Sequence, residues 1–313
     1  MSKQLPFRIL DPARRDPSRH SLFAERETPK TMGSLKESAP FFQPSEALAT
    51  AVNVAMRVGA PLLLTGEPGT GKSQVAYYLA WYFGVEQALF QLDVRSSTTA
   101  EDLIYHFDSV AYFHATHDPQ RQGQVIDRES FVRKGPLWQA LESPVPAIVL
   151  LDEIDKAPRD FPNDILGVLD QSRFLVREWG DKGSWFPKEP PRTRPLVIIT
   201  SNSERRLPEP FLRRCIFHHI EFTEELLKKA VHARRDDFPG LSEEVRAAAI
   251  ERLLELREKP LRKKPATSEL LVWLTILAAH SELGASAVKN HPWKDLPGLS
   301  ALIKDRDDLD LLS

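Results

Sequence analysis

The run Leu62-Leu63-Leu64-Thr65-Gly66-Glu67-Pro68-Gly69-Thr70-Gly71-Lys72-Ser73 decides how the rest of the chain is read. Its apolar start reads as a buried strand, which breaks into a glycine-rich turn and enters a helix expected over residues 73–83 and stopped by Gly84. Gly66, Gly69 and Gly71 let the backbone take φ > 0 and approach an anion, so that successive N–H groups face phosphate oxygens. Lys72 would sit against the β- and γ-phosphates and the Ser73 hydroxyl would ligate Mg²⁺. The positive end of the helix dipole would point at the same phosphates. Strand, spacing and helix agree, which sets the stretch apart from an ordinary glycine-rich surface turn.

Two further apolar runs end in polar residues. Ala147-Ile148-Val149-Leu150-Leu151-Asp152-Glu153-Ile154-Asp155 reads as a buried parallel strand, whose C-terminal end is where ligands bind in open α/β sheets. Acidic residues also follow buried strands merely to mark the exit to solvent. Downstream of a complete phosphate loop they gain weight: Asp152 would hold Mg²⁺ through water and Glu153 would polarise the attacking water. Pro195-Leu196-Val197-Ile198-Ile199-Thr200-Ser201-Asn202 is a third such strand. Asn202 at its tip could position the nucleophilic water or serve as an ordinary turn residue.

Outside these strands, residues 1–40 are rich in proline and charge and read as an extended, partly disordered arm. Pro44-Ser45 opens a helix that stops at Gly59. Residues 88–94 alternate as a short strand, and residues 95–135 form a polar insertion. In it His114 and His117 could share a helix face as metal ligands do, but no cysteine or third ligand accompanies them. Gly135-Pro136-Leu137-Trp138 reads as a turn into an amphipathic helix. Residues 179–194, with little periodicity, read as a hairpin or long loop.

Composition narrows the class of protein. The 313 residues suggest about two domains by length. A formal net charge of −2 gives no support to a nucleic-acid or membrane-surface partner. The single cysteine, Cys215, excludes an intrachain disulfide framework and any multi-cysteine zinc site. No apolar stretch approaches the roughly 18 residues that cross a bilayer, and no apolar signal segment opens the chain, so no membrane insertion and a cytoplasmic location are expected.

On these motifs the chain resembles AAA+ ATPases, and within them the MoxR group. Residues 66–73 are similar to Walker A, residues 148–153 to Walker B with its catalytic glutamate, and Asn202 to sensor 1. Pro210-Phe211-Leu212-Arg213-Arg214-Cys215 is similar to the segment carrying the arginine finger, which favours Arg214 with Arg213 in reserve. The resemblance implies an α/β P-loop NTPase fold, a five-stranded parallel sheet between helices over residues 41–222, followed by an all-α lid over 223–313. It also implies ATP and Mg²⁺ held by Gly66, Glu67, Pro68, Gly69, Thr70, Gly71, Lys72, Ser73 and Asp152, with catalysis by Glu153, Asn202 and Arg214. The implied partners are further copies of the chain in a hexameric ring, a von Willebrand factor A domain protein, and an unknown client protein.

The lid agrees in pattern, with a strand at Ile216-Phe217-His218-His219-Ile220-Glu221-Phe222 and helical patterns over residues 223–235, 242–259 and 267–283, the last closed by Gly284. His218 and His219 read as packing or edge residues. Residues 303–313 read as a helix end with a solvated acidic tail. One departure stands out: the lid arginine called sensor 2 aligns with Ser268, and the nearest cation is Lys264. Two functions are weighed: an ATP-driven machine that remodels or matures a partner, and a nucleotide-gated binding or scaffold module with little turnover. Glu153, Asn202 and Arg214 favour the first, because a pure binder needs none of them.

Overall fold

In the computed structural model, which describes residues 17–19, 31, 33–118, 126–171, 174–182, 184–185, 194–280 and 282–312, strand β1 is Leu62–Gly66. Its three leucines are fully buried, and each such side chain contributes about 1.5–3 kcal/mol relative to exposure. The chain divides into two compact units, residues 44–66 with 75–220, and residues 1–43 and 67–74 with 221–313.

The first unit holds the sheet. Besides β1 it contains β2 (Leu89–Asp93), a short pair β3 (Tyr105–Phe107) and β4 (Val132–Lys134), then β5 (Ile148–Asp152). A second short pair, β6 (Phe174–Leu175) and β7 (Ser184–Trp185), precedes β8 (Leu196–Ser201) and β9 (Ile216–Ile220). Five strands pair in the order β2-β5-β8-β1-β9, every neighbour parallel. The central strands are apolar up to their polar C-terminal ends because both faces are covered. On one face or the other, helix α1 (Glu46–Val58) packs on β1 and β9, and α3 (Pro136–Leu141) packs on β2 and β5. Helix α2 (Lys72–Tyr82) follows the glycine-rich turn, and α4 (Phe161–Gln171) follows β5. The Ser45 hydroxyl caps α1 by accepting from Leu48 N at 3.1 Å, and Gly59 ends it at φ 69°.

The insertion has structure of its own: β3 and β4 pair antiparallel, with a helix over Ser109–Thr116. The hairpin or long loop expected over 179–194 is displaced: the antiparallel pair is β6 with β7 and begins at Phe174, residues 177–182 form a 3-10 turn between them, and residues 183 and 186–193 lie outside the described residues. Gly135 joins these parts. A Cβ there would lie 2.6 Å from Asp102 O, 2.7 Å from Leu103 O and 2.8 Å from the Ile104 carbonyl carbon, all backbone that cannot swing aside. Gly135→Ala is therefore expected to destabilise the protein by about 1–3 kcal/mol through overpacking; an unchanged melting temperature would contradict this close approach.

The second unit is helical. Helices α5 (Glu224–Ala233), α6 (Glu243–Glu258), α7 (Thr267–Ala278) and α8 (Ala285–Asn290) enclose a core that includes Leu227, Leu253, Leu270, Trp273, Leu277 and Val288. Thr223 and Ser242 cap α5 and α6 by accepting from Leu226 N and Val245 N.

Three expectations are corrected in this unit. Helix α7 ends at Ala278, so Gly284 does not close it; Gly284, with extended φ −76° and ψ 166°, is instead the N-cap of α8. The acidic tail is not merely solvated: Asp308 is buried, and its carboxylate accepts from Arg262 N at 2.8 Å and Lys263 N at 3.1 Å. Two backbone donors of a helix-free turn thereby find their acceptor, as buried N–H groups must.

The third correction concerns the arm, most of which lies outside the described residues. Its end is not extended: Ser34 and Glu37 form a reciprocal capping box on the helix Leu35–Ser38. Ala39 is buried and the Arg234 guanidinium lies 4.9 Å from the Phe41 ring. Among the described residues, no helix is long and apolar enough to cross a membrane.

Candidate active site

The glycine-rich turn needs its glycines. Gly66, Gly69 and Gly71 have φ of 151°, 78° and 89°, backbone that L side chains rarely adopt. At Gly69 there is also no room, since a Cβ would lie 2.7 Å from Ala266 Cβ and 3.0 Å from Ser268 Oγ. Glu67 is the hub of the turn. Its carbonyl accepts from Lys72 Nζ at 2.9 Å and from Thr70 Oγ1 at 2.8 Å. Its carboxylate accepts from Arg257 Nη2 at 2.6 Å. Lys72 is only 6% exposed and opens α2, with half-buried Ser73 next to it. A buried ammonium beside a run of N–H donors at a helix start makes a strong anion site. Ser268, aligned with the lid arginine, donates its hydroxyl to Glu269 Oε2 at 2.9 Å, and Lys264 is exposed.

In the sheet unit the ends of β5 and β8 hold the other candidates. Thr200 Oγ1 donates to Asp152 Oδ1 at 2.5 Å and accepts from Glu153 N at 2.9 Å, which fixes both acidic residues. Glu153 itself sits at φ 61°, a left-handed conformation costing about 1–3 kcal/mol in a non-glycine residue and found mainly at functional sites. One of its oxygens meets Asn202 Nδ2 at 3.4 Å and the other pairs with Lys156 Nζ at 2.5 Å. Asn202 is oriented in turn by Asp155, 3% exposed, which accepts from Asn202 N at 3.2 Å and Glu204 N at 3.0 Å. The Glu153 carboxylate raises the Lys156 ammonium above its usual pKa. Burial, then Asp93 and Asp152, raises Tyr77, whose hydroxyl stays a donor and bonds Gln91 Oε1. A cleft of about 400 Å³ opens here, lined by Asp93, Arg95, Glu153, Lys156, Glu204 and Arg205.

Asp152, Glu153 and Asn202 are thus brought together within one unit, whereas Glu67 to Ser73 belong to the other. The oxygen donors Ser73 and Asp152 are the type Mg²⁺ takes, and among the described residues no group of three or more His, Cys, Asp or Glu could hold a metal ion by itself. His117 Nδ1 is engaged with the Phe113 carbonyl at 2.9 Å, and its ring stacks on Phe113.

Arg213 and Arg214 precede β9. Arg213 pairs with Glu209 at 3.3 Å, and Arg214 is exposed. The β1–β9 register sets Ile216 beside Leu62 and Ile220 beside Gly66, so Arg214 lies beyond one end of a strand pair whose other end, about 13 Å along the strands, leads into the glycine-rich turn. His219 pairs across the same register, its Nδ1 2.9 Å from Thr65 Oγ1, and burial followed by His219 lowers the His218 pKa. Sequence reasoning missed Thr200, Asp155, Lys156 and Arg257. Only Asp155 had a local signal, as the third carboxylate of Asp152-Glu153-Ile154-Asp155.

Residues 61–215 match the family model described as AAA domain (dynein-related subfamily). Over that stretch the chain is similar to AAA domains. No curated protein matches the chain at a significant level. Among solved structures, one from Cytophaga hutchinsonii described as a "putative ATPase" is similar at 14% identity, over 84% of this chain and 78% of that one, with a TM-score of 0.35. So distant a likeness adds nothing to the assignment.

Proposed function

We propose that this protein is a ring-forming, MoxR-like AAA+ ATPase whose turnover drives remodelling or maturation of a partner protein, with a von Willebrand factor A domain protein as the partner class. The reading rests most heavily on the hydrogen bond between Asn202 and Glu153, with Asp155 and Thr200 holding both residues. A protein that only binds nucleotide needs no oriented carboxylate at that position. Lys72 exchanges the Glu67 carbonyl for the β- and γ-phosphates of ATP, and Glu153 accepts a proton from the attacking water while Asn202 holds its carboxylate. Ser73 and Asp152 are the oxygen donors that would hold Mg²⁺, which would supply positive charge against the phosphates. Arg214 serves the site of a neighbouring copy.

One observation favours the alternative of a nucleotide-gated scaffold with little turnover: Lys156 already engages the Glu153 carboxylate. Glu153→Gln separates the two. In an ATPase it lowers turnover by about 10²- to 10⁴-fold while ATP stays bound, because the amide can hold a water but cannot take its proton. Hydrolysis by the variant at the parent rate would remove Glu153 from the mechanism.

A further inference from the structure

Arg257, at the end of α6, is held from several sides, as Arg252 is by Glu255, the His291 carbonyl and the Trp293 ring, and unlike two exposed helical pairs of the same unit. Lys228–Glu224 and Lys229–Glu225 are solvent-exposed i,i+4 pairs, of the kind that contributes little. The Arg257 side chain is 11% exposed. Nη1 donates to the Pro265 carbonyl at 2.6 Å, Nη2 donates to Glu67 Oε2 at 2.6 Å, and the guanidinium carbon lies 3.6 Å from the Phe222 ring centroid. Three contacts in three directions fix a planar fork, which a lysine cannot reproduce. Glu67 is the one acidic residue between Gly66 and Ser73. It therefore puts a carboxylate into the loop that would receive a polyanion, and its own carbonyl holds Lys72. All of these residues belong to one unit. Where a lid arginine would reach the phosphates directly, Ser268 is bonded to Glu269 instead.

We infer that Arg257 is a positioning residue for ATP that acts through Glu67: its positive charge neutralises the loop's carboxylate. The inference rests on the nucleotide-binding reading above. Without Arg257 the Glu67 carboxylate faces the triphosphate uncompensated, and like charges at such range in a half-exposed site weaken binding by about tenfold. The deficit belongs to Glu67, so it disappears when Glu67 loses its charge. A role confined to packing the lid on Phe222 and Pro265 would persist whatever stands at position 67.

The test is titration of the full chain with a fluorescent ATP analogue and Mg²⁺ at two salt concentrations. Arg257→Ala is expected to weaken affinity about tenfold at low salt and less at high salt, as screening shortens the reach of Glu67. In a Glu67→Gln background the same substitution is expected to cost no more than about twofold. Arg257→Lys, which keeps the charge but loses the fork, is expected to stay within about threefold of the unsubstituted protein. An equal loss from Arg257→Ala in both backgrounds, or no loss in either, would overturn the inference. If Arg257→Ala does not fold, a tenfold loss in Arg257→Lys would overturn it as well. Failure of the unsubstituted protein to bind the analogue, read before any variant, would overturn the nucleotide reading and this inference together.

Discussion

Lys72→Ala protein is expected to show no saturable ATP binding and no phosphate release above background. Lys72 is the buried cation of the glycine-rich turn, 6% exposed, and its ammonium is held by the Glu67 carbonyl, an acceptor it can trade for phosphate oxygens. Charge-assisted hydrogen bonds to two phosphates contribute about 1.5–3 kcal/mol each, so their joint loss amounts to a hundredfold or more in affinity. The loop backbone is set by Gly66, Gly69 and Gly71 rather than by Lys72, so the loss falls on the ligand and not on the turn. Calorimetric titration at fixed salt checks it, and an affinity unchanged within about twofold would remove the phosphate-loop assignment.

Arg214→Ala is expected to keep ATP binding and lose about 10³- to 10⁵-fold in turnover, the range an arginine finger supplies in nucleotide hydrolases. Arg213, the reserve candidate beside it, is expected to tolerate alanine with a far smaller loss. Arg214 lies beyond the start of the edge strand β9, away from the strand end that feeds its own phosphate loop. A guanidinium in that position serves a neighbour more readily than itself. Steady-state phosphate release beside equilibrium binding separates the two quantities, and near-normal turnover in Arg214→Ala would exclude it as the finger.

The central strands were legible because buried parallel strands are uninterrupted apolar runs, as at Leu62 to Leu64 and Val149 to Leu151, all fully buried. The glycine-rich turn was legible because its spacing reports backbone geometry directly, and Gly66, Gly69 and Gly71 all take positive φ. The supports of the site were not. Thr200 meets Asp152 across 48 residues, Asn202 meets Asp155 across 47, and Arg257 meets Glu67 across 190. No local period encodes such pairs; they exist only once β5 lies beside β8 and α6 has folded. The acidic tail misled because charge pattern cannot distinguish a solvated aspartate from one that caps two backbone donors, as Asp308 does. Gly284 misled because glycine serves at either end of a helix, and here α7 had already ended before it.

The claim that two copies of the chain share each active site is tested most directly by mixing Arg214→Ala and Lys72→Ala proteins. The first keeps an intact phosphate loop and the second an intact finger, so each is inactive alone for a different reason. Together they create some interfaces where a sound loop faces a sound finger, and part of the ATPase activity should return. Mixed oligomers demonstrated by sedimentation, with no activity recovered, would contradict a site completed by Arg214 from a neighbouring copy.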